Sequence, residues 1–419
     1  MKTSKLRIAV LLCSIVLLSV IVCVLYAYPS LLEYLPWRES PSIPADDSLD
    51  DPQDDPISPP VSEPTDPSQG VPADPSVSDP TNPPQEDPAD PPAGEPQLPL
   101  EPIVTLSGTY YTYAQMSGQL LALGERYSDI LSVSSCGTSA DGRELYVATL
   151  GNPKAEKQII ITAGMHAREY VNCFVVMRQM EYYLENYDTA SYGGKTFREL
   201  FSKVCLVIAP MTNPDGITMA QEGIDALRAD ALRENVRQIV RSKTKGDVDA
   251  YLNNNWKSNA RGVDINRNFD LLWNEYTSNY TSPAFKEYKG VTPDSESETR
   301  ALVALTEGLS NPVASVCVHS QGNLIYWRCT PRSELWTENL RLAEITRAVT
   351  GYRIIDENQT DAQTEPSYSN WTVFARGIPT VTVENGLGGY PQRYDMADGF
   401  YDRNRDLWAA IALEYAAKP

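Results

Sequence analysis

His166 and Glu169 stand three residues apart in "GMHAREY" (164–170), directly after the apolar run Ile159, Ile160, Ile161. The chain's only other histidine, His319, closes a second apolar run, "ASVCVH". A catalytic zinc commonly takes two His and one Glu and keeps a position for water. His166 and Glu169, placed around a strand-to-helix turn, can converge on one ion, and His319 is the histidine available to complete the set. A lone histidine at a strand end is usually structural. Here the whole histidine complement sits at two strand ends, one with a glutamate at ligand spacing, and that points to a metal.

The elements that must position these groups are legible as apolar patterns. "LYVATLG" (145–151) alternates like a half-buried strand, while "QIIITAG" (158–164) and "VCLVIAP" (204–210) are the continuous runs of strands covered on both faces. "VNCFVVMRQMEYYLENY" between them has helical spacing, and "ASVCVHS" and "IPTVTVEN" add two buried strands. In "PDSESETRALVALTEGL", Ser295 with Glu298 three places on predicts a capped helix start. Strands alternating with helices predict an α/β domain with a mixed, mostly parallel sheet and helices on both faces. Ligands gather at the carboxyl ends of such strands, and His166, Asn213, His319 and Glu384 all fall there.

"HARE", "NPDG" (213–216), "GVDINRNF" (262–269), "HS" (319–320) and "TVEN" (382–385) occur in the order found in zinc carboxypeptidases of the carboxypeptidase A type, and the chain resembles that family from about Tyr110 onward. "HSQGNLIYW" looks most like its bacterial branch that cleaves γ-D-glutamyl-diamino acid bonds in peptidoglycan peptides. The resemblance implies one zinc held by His166, Glu169 and His319, with Asp264 hydrogen-bonded to the first histidine and fixing its tautomer. It implies Glu384 as general base, Asn266 and Arg267 as the grip on the substrate's free carboxylate, and Arg168 as a residue steadying the substrate farther from the scissile bond.

The chain departs from the animal enzymes in three places. Where they carry a Trp-Arg pair that stabilises the oxyanion, this chain has Trp256 followed by Lys257, with Arg261 as a rival. Lysine supplies the charge without the bidentate geometry. Their mobile tyrosine has no clear counterpart; Tyr368 is offered in a displaced position. Ser369, near the expected base of the specificity pocket, is neither apolar nor acidic, which suits an unusual polar side chain such as that of diaminopimelate.

Composition sets the outer frame. The net charge is −20 at pH 7, but fifteen acidic residues and more than half of the 32 prolines lie between Pro41 and Glu101, without a single Lys or Arg. That loose Asp-Pro repeat predicts a disordered spacer over 41–102. The remainder is mildly acidic, which excludes a nucleic-acid footprint. Lys2, Lys5 and Arg7 precede an uncharged stretch from Ile8 to about Tyr28, so residues 1–40 read as a cytoplasmic N-terminus and a transmembrane signal-anchor. Of the seven cysteines, Cys13 and Cys23 fall in that stretch, and the other five read as buried small hydrophobes, with a Cys317–Cys329 pairing left open. The expectation is a membrane-anchored, extracytoplasmic zinc peptidase with its catalytic domain over 103–419, acting near a free carboxylate in cell-wall peptides. The rivals are an N-acyl amino acid deacylase and a tethered, non-catalytic binding head.

Overall fold

The computed structural model describes residues 101–327, 334–355 and 365–418. Among them no helix is long and apolar enough to cross a membrane. The apolar stretch 8–28, nearly all of the acidic spacer, and Cys329 with its possible pairing lie outside the described residues.

Eight strands form one sheet: β1 (Leu131–Thr138), β2 (Glu144–Leu150), β3 (Lys157–Ala163), β4 (Val204–Ala209), β5 (Pro312–His319), β6 (Leu324–Trp327), β7 (Arg353–Ile354) and β8 (Thr380–Glu384). Their spatial order is β1-β2-β4-β3-β5-β8-β6-β7. β4, β3, β5 and β8 run parallel as the central block; β2 pairs antiparallel with β4 and β1 antiparallel with β2, and β6 pairs antiparallel with β8. The mixed, mostly parallel α/β sheet expected from the sequence is therefore present. Ile159, Ile160 and Ile161 are all 0 % exposed, and each such burial contributes about 1.5–3 kcal/mol.

Strand side chains alternate between faces. Ile159, Ile161, Leu206, Ile208, Val316, Val318, Val381 and Val383 enter one core with the helices α1 (Tyr113–Arg126), α2 (Val171–Glu185), α5 (Glu334–Thr350) and α7 (Leu407–Ala417). Val207, Ala209 and Cys317 enter a second core with Leu302 of α4 (Ser297–Glu307) and with Tyr368 and Trp371 of α6 (Tyr368–Phe374). Thr382 and Glu384 pair in register with Cys317 and His319, so all four side chains belong to this second face.

One expectation changes, and three strands were not foreseen. Helix α4 begins after Glu296 and has no side-chain cap. Ser295 instead accepts from Asn268 and donates to Glu296, while the buried Glu298 carboxylate accepts from the Asn259 amide. The Ser295–Glu298 pattern thus reflects a tertiary polar cluster, not a capping box. The outer strands β1, β6 and β7, of which β1 and β7 are the edges, escaped the sequence reading because they are short or half-exposed and carry no continuous apolar run.

Candidate active site

The turn after β3 is held by sterics and backbone hydrogen bonds. Gly164 has φ +68°, and a Cβ there would lie 2.5 Å from Cys173 Sγ and 2.9 Å from Ile217 Cδ1. Only glycine fits so tight a step. The chain then enters a single 3-10 turn, Ala167–Glu169, anchored by Ala167 N donating to Lys257 O and Arg168 N to Trp256 O. Asn213 caps helix α3 (Pro214–Glu222) and donates to Met165 O and Ser258 O at 3.1 Å. That strand-end residue is therefore a brace between the histidine turn and the Lys257 segment.

Because β5 lies between β3 and β8, His319 is flanked by the His166 turn on one side and by Glu384 on the other. His166, Glu169 and His319 are 6 %, 2 % and 4 % exposed. His166 Nδ1 is 2.9 Å from Glu169 Oε1, and His319 Nδ1 is 2.9 Å from Glu169 Oε2. Burial alone would raise the Glu169 carboxyl, but the two imidazoles hold it well below its usual range. The other His166 nitrogen, Nε2, faces Asp264 Oδ1 at 3.4 Å. Asp264 is fixed by accepting from Asn266 N and Glu287 N. Burial works against its charge too, and His166, Arg267 and Lys257 together still keep it ionised. The three potential ligand atoms lie within 4.8 Å of one another, the one such set among the described residues. Two imidazole nitrogens and a carboxylate are a donor set suited to zinc, with a carboxylate partner behind the first histidine.

His319→Ala removes one of three donors, while Ser320 N still donates to Glu169 Oε2 and β5 keeps its neighbours. The expected result is loss of tight zinc binding with a retained circular dichroism spectrum. Full zinc occupancy by elemental analysis would take His319 out of the site.

One cleft brings together His166, His319, Glu384, Lys257, Asn266 and Arg267, and it also contains Ser369. Arg267 is held firmly: Nε donates to the Tyr276 hydroxyl at 3.3 Å, one terminal nitrogen to its neighbour Asn266 O at 2.9 Å, and the other to Glu365 Oε1 at 2.8 Å. Asn266 Oδ1 accepts from Tyr368 N. Lys257 lines the cleft, whereas Arg261 is exposed outside it. Arg168 does not line it either; its guanidinium carbon lies 3.6 Å over the Tyr390 ring. Tyr368 is fully buried with its hydroxyl 2.8 Å from Thr306 Oγ1, which rules it out as a mobile tyrosine facing substrate.

The sequence reading missed Glu365, Ser367, Tyr326 and Thr382, which also line the cleft, and Tyr276 behind Arg267. Tyr326 and Thr382 were findable, since register pairs them on adjacent strands on the face of Glu384. Glu365 sits in a polar stretch without periodicity, and nothing local marks it.

Comparison with known proteins agrees with this geometry. The chain is 25% identical over 294 residues to the uncharacterized protein YqgT of Bacillus subtilis (strain 168), covering 68% of this chain and 73% of that protein. It is 26% identical over 311 residues to the gamma-D-glutamyl-L-diamino acid endopeptidase 1 of Lysinibacillus sphaericus, covering 72% of each. The crystal structure of thrombin activatable fibrinolysis inhibitor shares the fold, with a TM-score of 0.60 at 18% identity over 76% of this chain and 78% of that one. Residues 117–385, which carry every cleft residue named above, match the zinc carboxypeptidase family, peptidase M14. With its convergent His-Glu-His set inside that span, the chain belongs to the zinc carboxypeptidases, peptide hydrolases that use one zinc.

Proposed function

We propose that this chain is a membrane-anchored, extracytoplasmic peptidase that hydrolyses an amide bond beside a free carboxylate in peptidoglycan peptides. The observation that carries the reading is the cleft, where the His166–Glu169–His319 set, the Glu384 carboxylate and the Arg267 guanidinium meet. Zinc bound by the three ligands would supply Lewis acidity and bring a water's pKa down to about 7. Glu384 accepts a proton from the attacking water and returns it to the leaving amine. Lys257 places positive charge where the carbonyl oxygen becomes negative. Asn266 and Arg267 hold the free carboxylate beyond the scissile bond, and Asp264 keeps His166 in the required tautomer. Arg168, stacked on Tyr390, is assigned to a more distant part of the substrate.

The wall-peptide substrate is supported by likeness to a relative named for γ-D-glutamyl-L-diamino acid bonds, and by the polar Ser367 and Ser369 in the cleft. The anchor is supported by the uncharged stretch 8–28 behind Lys2, Lys5 and Arg7.

The decisive experiment incubates the purified zinc-loaded protein with defined muropeptides and with ordinary peptides and identifies the products by mass. Loss of one terminal residue from muropeptides is the expected result. Cleavage of N-acyl amino acids with all peptides untouched would make the chain a deacylase instead. For location, protease added to intact cells should release the catalytic domain by cutting within 41–102; a fully protected domain contradicts the orientation.

A further inference from the structure

Behind the cleft runs a chain of buried amides that the proposed hydrolysis leaves without a task. Asn172 and Asn385 are both 0 % exposed, and Asn385 Nδ2 donates to Asn172 Oδ1 at 2.9 Å. Asn172, in the first turn of α2, donates through Nδ2 to Glu169 O at 3.2 Å and to Ser320 Oγ at 2.9 Å. Asn385 directly follows Glu384, and its backbone N donates to His319 O at 2.8 Å. Its Oδ1 accepts from the Tyr352 hydroxyl at 2.9 Å and from Asn404 Nδ2 at 2.8 Å. One amide–amide bond thus joins the turn of His166 and Glu169 to the strand end of Glu384, and Ser320, next to His319, is tied to the same pair. The partners fix its direction. Glu169 O can only accept, so Asn172 turns its amino group there and its carbonyl to Asn385. Asn385 must then turn its carbonyl to Tyr352 and Asn404, and neither amide can flip without setting acceptor against acceptor.

We infer that Asn172 and Asn385 are positioning residues for hydrolysis, whose amide pair sets the Glu384 carboxylate against the His166–Glu169–His319 set. The inference rests on the general-base role proposed for Glu384. Glu384 makes the last registered pair of β8 with β5, and two residues on, Gly386 turns the chain away at φ +90°. The ladder therefore holds Glu384 from one side along the chain, and Asn385 holds it from the other. A base must stay within hydrogen-bond reach of the water it deprotonates. A misplacement of about 1 Å can cost about 10²-fold in rate. A buried polar network whose members are all satisfied is rigid, and double-mutant cycles apportion its effects.

The test is a double-mutant cycle on a peptide that wild type cleaves, with Asn172→Ala, Asn385→Ala and the double variant. Each single change should lower kcat by about 10- to 100-fold and leave KM within about twofold. The double variant should lose no more than about threefold beyond the worse single, because both changes break the same bond. Zinc per chain and the visible spectrum of the cobalt-substituted Asn385→Ala protein should match wild type, since the Asn385 side chain bonds to Asn172, Tyr352 and Asn404 and to none of the three ligands. A changed cobalt spectrum places the effect on the ligands and overturns the inference. So does a lower melting temperature with kcat per zinc-loaded chain unchanged, the mark of a purely structural brace. Single effects that multiply in the double variant overturn it too. Should an alanine variant fail to fold, Asn385→Asp decides: it keeps the bonds from Tyr352 and Asn404 and cannot donate to Asn172. A comparable loss of kcat supports the inference, and wild-type kcat overturns it. If Glu384→Gln retains turnover, or wild type cleaves no peptide, it is the general-base reading that has failed, and the inference falls with it.

Discussion

Glu384→Gln should keep its zinc and lose about 10²- to 10⁴-fold in kcat, the usual contribution of a general base. The substitution preserves size and shape, and the ligand set does not include Glu384. β8 is pinned by β5 on one side and β6 on the other, with Glu384 in register with His319 and Leu324, so the position should hold. What changes is proton affinity: a carboxylate can take a proton from water, and an amide cannot. The measurement is paired, kcat on a peptide that wild type cleaves and zinc per chain on the same preparation. Turnover within a few-fold of wild type would exclude Glu384 as the base. Loss of zinc along with activity would make it a metal ligand.

The chemistry was more legible in the sequence than the frame around it. Continuous apolar runs fixed β3, β4, β5 and β8, because strands buried on both faces leave no alternative to apolar side chains. The residues that close three of those runs, His166, His319 and Glu384, meet at the carboxyl ends of neighbouring central strands. The fourth, Asn213, shows the limit of the inference: the same position at a strand end carries a helix cap that braces two loops. Arg267 was visible in "NRNF", but its partners Tyr276 and Glu365 lie nine and 98 residues away and meet it only through tertiary folding. Ser295 and Glu298 show the opposite failure, a local pattern overridden by buried contacts with Asn268 and Asn259. Arg168 was visible in "HARE", but its stacking on the Tyr390 ring was not.

The second large effect separates cutting at a chain terminus from cutting inside it. Of the five N–H donors on the Arg267 guanidinium, three are committed, to Tyr276, Asn266 O and Glu365. Two remain, one on each terminal nitrogen, the geometry a planar carboxylate can take up. Truncating one partner of such a desolvated pair costs about 2–5 kcal/mol. Arg267 is 14% exposed and already shares its charge with Glu365, so the lower end applies. Amidating the terminal carboxylate of a cleaved peptide should therefore reduce kcat/KM by about 30-fold, at tenfold for each 1.4 kcal/mol. Arg267→Ala should lose a similar factor on the free acid and erase most of the discrimination between acid and amide. Arg267→Lys should keep part of it, as a point charge without the fork. If wild type cleaves the amidated peptide as well as the acid, Arg267 serves Glu365 and Tyr276 as a structural cation. The cleft would then accept a chain continuing past the scissile bond, and the enzyme would act as an endopeptidase.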